Sequence, residues 1–388
     1  MNKVIATIGR RLRLGVIGGG EGSFIGAMHR QAARLDDHYE VIAGVFSSNP
    51  EKSRAFGISI GLDAERAYGN VAEMIAAEGK RQDGIDVVAI MTPNDSHFEY
   101  AMAALDAGLH VICDKPMTNT LEESEALHKK VIETGLVFCL THNYTGYPLI
   151  RQAREMIRNG DLGEIRLVQV EYVQGGRADE SKQMTPEMSW KYDPIRGGKA
   201  RTMGDVGTHA HNLLRFVTGL EVDQVCAEIG IIVPGRVVND YAGALIRMSN
   251  GSRGTFWATQ AAAGVENGLR LRVSGNKGTL EWLQEIPQVL TFKPLKGPIE
   301  TRTPNGPGSY PLATSSSRIK AGHPEGFPEA FANLYTEASL AICEKMTGKV
   351  LSPEGYIFPT SFDGLMGAKF VEAVINSSAK DGSWEKSN

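Results

Sequence analysis

Between residues 12 and 140 the chain repeats one pattern, and that pattern leaves few folds open. Short apolar or β-branched runs at 12–17, 40–46, 86–91, 110–113 and 136–140 alternate with segments of helical periodicity at 24–35, 50–56, 68–77, 97–107 and 121–134. Gly108 and Gly135 stand where two of these helices should stop. Strands that succeed one another through helices run parallel, and a parallel sheet needs helices on both faces. The expectation is an α/β, doubly wound parallel sheet for the first part of the chain.

After about residue 141 the rhythm changes. Helical patterns at 150–158 and 204–218 are followed by strand-like runs at 165–173, 222–232, 242–248, 255–260, 269–273 and 279–282, joined by turns such as Ser249-Asn250-Gly251-Ser252. Such turns favour antiparallel pairing, so an α+β second domain is expected. Residues 294–328 are rich in Pro, Gly and Ser and lack periodicity, which reads as a long excursion. A helix over 361–375 closes the chain and is free to pack back on the first domain. The expected division is 10–141 and 142–388.

The first strand runs Leu14-Gly15-Val16-Ile17 into Gly18-Gly19-Gly20 and a helix. Glycines there let the backbone approach a pyrophosphate, whose charge the helix N-terminus holds. This makes the first domain a Rossmann-type nucleotide domain, with Gly18, Gly20, Gly22, Ser23, Phe24 and Ile25 as cofactor-binding candidates. The third glycine of the usual spacing is either replaced by Ser23 or displaced to Gly26. At the tip of the second strand, where an acidic residue usually binds the ribose of NAD, the chain reads Phe46-Ser47-Ser48-Asn49-Pro50. Ser47, Ser48 and Lys52, with Arg54 nearby, would accept a 2′-phosphate, so NAD(P) is expected, with NADP competence.

Composition excludes other classes. The 388 residues carry 41 Lys+Arg against 45 Asp+Glu, a net charge of −4, so no chain-wide basic field exists to hold nucleic acid or an anionic membrane. No run approaches the ~18 apolar residues of a membrane span. Arg10-Arg11 precedes an apolar run that Arg13 interrupts, too short for an export signal. Four cysteines, without any C-x-x-C pair, suit a reducing compartment and hold no metal, and a cytoplasmic protein is expected.

Three further blocks narrow the class. Asp86-Val87-Val88-Ala89-Ile90-Met91 runs into Thr92-Pro93-Asn94-Asp95-Ser96-His97; His110-Val111-Ile112-Cys113 runs into Asp114-Lys115-Pro116; and Gly204-Asp205-Val206-Gly207-Thr208-His209 lies downstream. In this order they resemble the Gfo/Idh/MocA oxidoreductases, the glucose-fructose oxidoreductase and inositol dehydrogenase family. The resemblance runs from Leu12 to the final helix. It implies that Lys115 is the lysine placed between nicotinamide and substrate hydroxyl, that His209 is the general acid/base, and that Thr92, Pro93 and Asn94 line the cofactor, with His97, Asp114 and Asn143 beside them. It also implies an open, mostly antiparallel sheet in the second domain, with a homodimer or homotetramer built through it.

The residues agree on their own terms. Asp205 and His209 are spaced i, i+4 and share one helix face. Removing a hydride from a carbinol carbon requires a group to take the hydroxyl proton, for which an imidazole is suited. An ammonium beside that oxygen stabilises developing alkoxide charge. Lys115 follows a strand at the carboxyl edge of the parallel sheet, where ligands of such folds bind. Tyr144, Trp190 and Tyr192 are candidates for the substrate wall, with Tyr147 less favoured; His211 is read as packing, and His323 as a weak candidate from the long excursion. Arg201 stands near the place where the family has a glycine pair, Gly197-Gly198 lying slightly earlier, and an arginine there would suit an acidic or phosphorylated substrate.

The expected function is an NAD(P)-dependent oxidoreductase acting on a secondary hydroxyl of a sugar, inositol or related polyol. The alternative is a glycosidase or lyase of the same fold that retains its nicotinamide and works by transient oxidation and elimination. A ligand sensor that does no chemistry would be expected to lack Lys115 or His209.

Overall fold

A computed structural model describes residues 2–182, 189–193 and 195–387. The chain divides into two compact units. The first comprises Met1–Thr118, Glu122–Asn143 and Phe331–Gly364; the second comprises Asn119–Leu121, Tyr144–Ala330 and Leu365–Asn388.

The first unit holds a five-stranded parallel sheet of β1 (Leu12–Gly18), β2 (Tyr39–Val45), β3 (Val87–Met91), β4 (His110–Cys113) and β5 (Phe138–Leu140), ordered β2-β1-β3-β4-β5. All five residues of β3 are buried, as a strand covered on both faces requires. The order reverses between β1 and β3, and the carboxyl edge at such a switch point is where ligands of doubly wound folds bind. The helix Phe24–Leu35 has the bounds its periodicity gives. The segment expected to be helical from Tyr68 starts later, at Val71, because Asn70 caps the helix Val71–Glu78 by accepting from the Glu73 N–H.

The second unit holds a nine-stranded, mostly antiparallel sheet. Its strands are β6 (Ile165–Val173), β7 (Val222–Gly230), β8 (Tyr241–Met248), β9 (Arg253–Thr259), β10 (Gly268–Gly275), β11 (Gly278–Leu283), β12 (Leu290–Pro294), β13 (Glu300–Arg302) and β14 (Glu385–Lys386), ordered β13-β12-β11-β10-β6-β9-β8-β7-β14. Only β6 and β9 pair in parallel. Val168, Val170 and Tyr172 of β6 face a core shared with Leu213, Leu214 and Val217 of the helix Thr208–Thr218, and with Phe370, Ala373 and Val374 of the closing helix. The alternate residues point outward, and Leu167, Leu245 and Trp257 among them are exposed. The fold class read from the sequence, a doubly wound parallel sheet followed by an α+β domain with an open sheet, is the fold observed.

One expectation needs correction, and one element was not foreseen. The excursion at 294–328 is not structureless: it contributes β13 and a short helix, Pro311–Ser315, and is held to the helix Pro148–Arg158 by Gln152 and Glu155, which accept from the N–H groups of Tyr310 and Leu312. A helix of 21 residues, Phe327–Thr347, follows it and has no stripe to betray it, because its Ala, Phe, Leu, Tyr and Cys positions are buried on nearly every side.

Candidate active site

In the first unit the nucleotide loop is built at backbone contact. Gly18, Gly19 and Gly22 take φ of 91°, 68° and 73°, a region that glycine adopts without strain. A Cβ on Gly20 would lie 2.3 Å from the Phe46 carbonyl oxygen, and one on Gly26 would lie 2.4 Å from the Gly19 carbonyl oxygen. Gly26 therefore occupies the place of the third glycine, packing helix against loop, while Ser23 caps that helix by accepting from the Gly26 N–H at 3.1 Å. Phe24 and Ile25 form the first turn beside the loop, Phe24 strongly exposed. Arg30, absent from the sequence reading, donates to the Gly19 carbonyl at 2.6 Å and lies over the Phe56 ring. At the tip of β2 the Ser47 hydroxyl accepts from the Asn49 N–H, Ser48 is exposed, and Asn49 caps the helix that carries Lys52. Arg54 is paired with Glu73 at 3.3 Å.

At the carboxyl edge two loops are tied together. The His97 ring is 1% exposed and spans them, with Nδ1 2.8 Å from the Pro116 carbonyl and Nε2 3.0 Å from the Thr92 carbonyl. This ring, expected to line the cofactor, has both nitrogens engaged by protein and acts as a tether. The Ser96 hydroxyl donates toward Thr92 Oγ1 and the Pro93 carbonyl. Lys115, half-buried, follows β4 and is joined to Pro116 by a cis peptide.

Beside Lys115, Asp114 accepts from the Thr141 hydroxyl at 2.9 Å and lies 4.0 Å from His29 Nε2, too far for a hydrogen bond. Burial alone would push this carboxyl up, but His29, Lys115 and His97 outweigh it and hold Asp114 at about 2 against an ordinary 3.8. An acid with a depressed folded pKa contributes stability that is present above pH 3.8 and is lost as pH falls toward 2. Asp114→Asn should therefore cost about 2 kcal/mol at pH 7. Denaturant unfolding at several pH values should show the native protein losing this increment between pH 3.8 and 2 while the variant does not.

The residues fit a bound dinucleotide. The amide nitrogens of Asn94 and Asn143 are buried without a partner among the described residues, and both follow strands of the parallel sheet at its carboxyl edge. Buried donors of this kind ask for an acceptor from outside the chain. The glycine loop adds a cradle that side chains would fill.

In the second unit, the segment expected to be plain α-helix from Gly204 opens with a π-helical turn, Met203–Gly207, which runs into the α-helix Thr208–Thr218. Such wide turns recur at functional sites. It carries Asp205, whose Oδ2 accepts from Arg201 Nη2 at 2.9 Å and Gln260 Nε2 at 3.1 Å and lies 3.8 Å from Arg177 Nη2. His209 is 7% exposed, its ring edge-on to Tyr144 with centroids 4.9 Å apart and to Tyr172 at 6.1 Å. Tyr144 and Tyr172 share a hydroxyl–hydroxyl bond of 2.5 Å, and Asn267 Oδ1 accepts from both Tyr172 and Gln174 at 2.7 Å. Gln260 donates on to Gln174 at 3.1 Å, so one chain of polar side chains joins Asp205 to the tyrosines against His209.

Several sequence candidates take other places. The Arg201 side chain is 2% exposed, with Asp205 on one side and Trp190 across its guanidinium at 5.3 Å. Its guanidinium is engaged by the Asp205 carboxylate inside the protein. Tyr192 lies over Arg177. Tyr147 stacks on Tyr144, His211 stacks on Phe370 as a packing residue, and His323 is exposed. Arg177, Gln174, Gln260 and Asn267 were missed, because isolated polar residues at strand ends carry no spacing signal. Among the described residues no helix is long and apolar enough to cross a membrane, and all four thiols are free.

Known protein families match both parts of the chain. Residues 12–142 match the oxidoreductase family with an NAD-binding Rossmann fold, and residues 150–281 match the GFO/IDH/MocA C-terminal domain. An oxidoreductase from Sinorhizobium meliloti is 46% identical, with a TM-score of 0.88 over 97% of this chain and 99% of that one. An inositol dehydrogenase homolog from Azotobacter vinelandii, complexed with NAD+, is 34% identical, with a TM-score of 0.93 over 97% of each chain. Levoglucosan dehydrogenase from Pseudarthrobacter phenanthrenivorans is 25% identical over 97% of this chain and 98% of that protein. With a nucleotide loop in one unit, an Asp/His helix in the other and both halves matched, the chain belongs to the GFO/IDH/MocA family of NAD-binding oxidoreductases.

Proposed function

We propose that this oxidoreductase interconverts a secondary hydroxyl and the matching ketone of a neutral sugar, inositol or related cyclic polyol. The observation that carries the reading is the polar chain from Asp205 through Gln260, Gln174 and Asn267 to Tyr172 and Tyr144, set against His209. Amide and hydroxyl groups of this kind suit a ring bearing several hydroxyls. Two full-length relatives named for inositol and levoglucosan support the substrate class.

Nicotinamide held by the residues of the first unit would supply the hydride chemistry. Gly18–Gly20, Gly22, Ser23 and the first turn with Phe24 and Ile25 would hold its pyrophosphate, while Thr92, Pro93, Asn94 and Asn143 would lie along the ribose and nicotinamide side. His209 takes the hydroxyl proton on oxidation and returns it on reduction. The Lys115 ammonium is suited to stabilise negative charge growing on a substrate oxygen. Asp205, an acceptor held at Oδ2, orients a donor hydroxyl. The Asp205–His209 side forms the chemical wall, with Trp190 and Tyr192 beside it.

An absorbance assay at the reduced-nicotinamide band tests this, run with NAD and NADP separately against inositols, aldoses, anhydrosugars and the corresponding ketoses. Turnover of at least one neutral cyclic polyol or sugar is expected, and turnover confined to sugar acids or phosphates would overturn the substrate class. Ser47, Ser48 and Lys52, with no carboxylate at the β2 tip, support NADP competence. Competition binding should show NADPH within tenfold of NADH, and a tenfold or larger preference for NADH would contradict it.

The open sheet supports a homo-oligomer, and four free thiols suit a reducing compartment such as the cytoplasm. Trp257 and Leu245 on its outward face are 40% and 53% exposed on interior strands, where a second copy would cover them. Trp257→Lys should shift the sedimentation coefficient toward the monomer, and an unchanged assembly would remove this surface as the interface.

A further inference from the structure

The mechanism above leaves Arg177 unused, yet its position is unusual. It follows β6, its side chain is 7% exposed, and Nη1 has no partner among the described residues. It faces Asp205 Oδ2 at 3.8 Å, the same oxygen that accepts from the helix-borne Arg201 at 2.9 Å, so two buried guanidinium groups converge on one carboxylate. Burial first, and the Arg201 charge second, push Arg177 down to about 10, a cost that Asp205, Tyr192 and Asp240 partly offset. Asp240 does not compete for the guanidinium, since its two oxygens accept from the N–H groups of Ile232 and Val233. The loop does not need this side chain to keep its course: the Arg177 N–H donates to the Gln260 carbonyl, and its carbonyl accepts from Arg236.

We propose that Arg177 is a positioning residue of the reaction: with Arg201 it fixes Asp205 as a permanently ionised acceptor, so that His209 is the group that changes protonation as turnover proceeds. The proposal rests on the assignment of Asp205 and His209 to the chemistry. A carboxylate only accepts hydrogen bonds, whereas a protonated Asp205 would donate one and reverse the polarity offered to a substrate hydroxyl. Among the described residues, Arg201 and Arg177 face Asp205 Oδ2, His209 follows four positions along its helix, Asp240 and Tyr192 act on Arg177, and Tyr144 and Tyr172 lie further along the polar chain. Loss of one cation within about 4–6 Å raises a carboxyl by about 1–3 pH units.

Arg177→Gln and Arg177→Lys test this in two readouts. The first needs no substrate: thermal stability against pH, compared between each Arg177 form and the same form carrying Asp205→Asn, reports where Asp205 takes its proton. In Arg177→Gln that point should rise by about 1 unit or more, and Arg177→Lys should restore most of it. An unmoved titration overturns the proposal whether or not a substrate is known. The second is the pH profile of kcat/KM with myo-inositol as probe. The acid limb of Arg177→Gln should move to higher pH and steepen, whereas a merely structural role would lower activity uniformly across pH. Absence of myo-inositol turnover by the native enzyme bears on the substrate class alone, and the stability readout still decides the proposal. If Arg177→Gln does not fold, Arg177→Lys against its Asp205→Asn partner decides it: Asp205 staying ionised as in the native protein supports the charge role, and a raised titration overturns it.

Discussion

Lys115→Ala should leave the protein folded and able to bind the reduced cofactor while lowering kcat by about 10²–10³-fold. The ammonium is placed by features that do not depend on it. Pro116 is tied to Thr92 through His97, and Asp114 is fixed by Thr141. Removing the amine therefore takes away charge stabilisation at the reacting oxygen without releasing the loop. Lys115→Arg should recover little, because a planar fork cannot take the place of a compact ammonium beside one oxygen. Fluorescence titration with NADH and single-turnover absorbance separate the two effects. Native-like turnover in Lys115→Ala would remove this residue from the chemistry.

His209→Gln should lower kcat by about 10²–10⁴-fold, the range for loss of a general acid/base. The discriminating observation is the pH profile. The native enzyme's rate should depend on pH through this imidazole, and the variant's residual rate should not. Packing supports a clean comparison, since the helix Thr208–Thr218 is anchored in the core by Leu213, Leu214 and Val217 and glutamine keeps a polar group against Tyr144. Melting temperature checks that the fold is retained. A parallel loss of rate at every pH, with the profile's shape unchanged, would assign His209 to substrate binding instead.

The parts of this molecule that a sequence discloses are those with a period. The strands at Leu12–Gly18 and Val87–Met91 and the helix Phe24–Leu35 follow directly from apolar spacing, and the strand-to-helix glycines mark the loop between them. The helix Phe327–Thr347 escaped because burial on nearly all sides erases the stripe on which such a reading depends. Within the candidate site, Asp205 and His209 were proposed from the family blocks with their i, i+4 spacing in support, but the π-helical turn beneath Asp205 was not foreseen, since no residue pattern announces it. Arg201 was noticed as a cation and given to substrate, whereas it faces Asp205. The Arg201–Asp205 pair is itself spaced i, i+4 and could have been read along the helix, whereas Arg177 and Gln260, 28 and 55 positions from Asp205, could not. Gly26 shows the converse: the shifted glycine was visible, and only the backbone contact with Gly19 decided between it and Ser23.

The central claim is that a hydride passes between nicotinamide and a carbinol carbon with net consumption of the cofactor. Its most direct test follows reduction of a ketosugar or inosose substrate by C4-deuterated NADH or NADPH, with cofactor consumed and product formed counted together. Deuterium on the new carbinol carbon, with one cofactor oxidised per product, is the expected result. Product formed without net cofactor oxidation, carrying solvent hydrogen at the neighbouring carbon, would contradict it and favour transient oxidation and elimination instead.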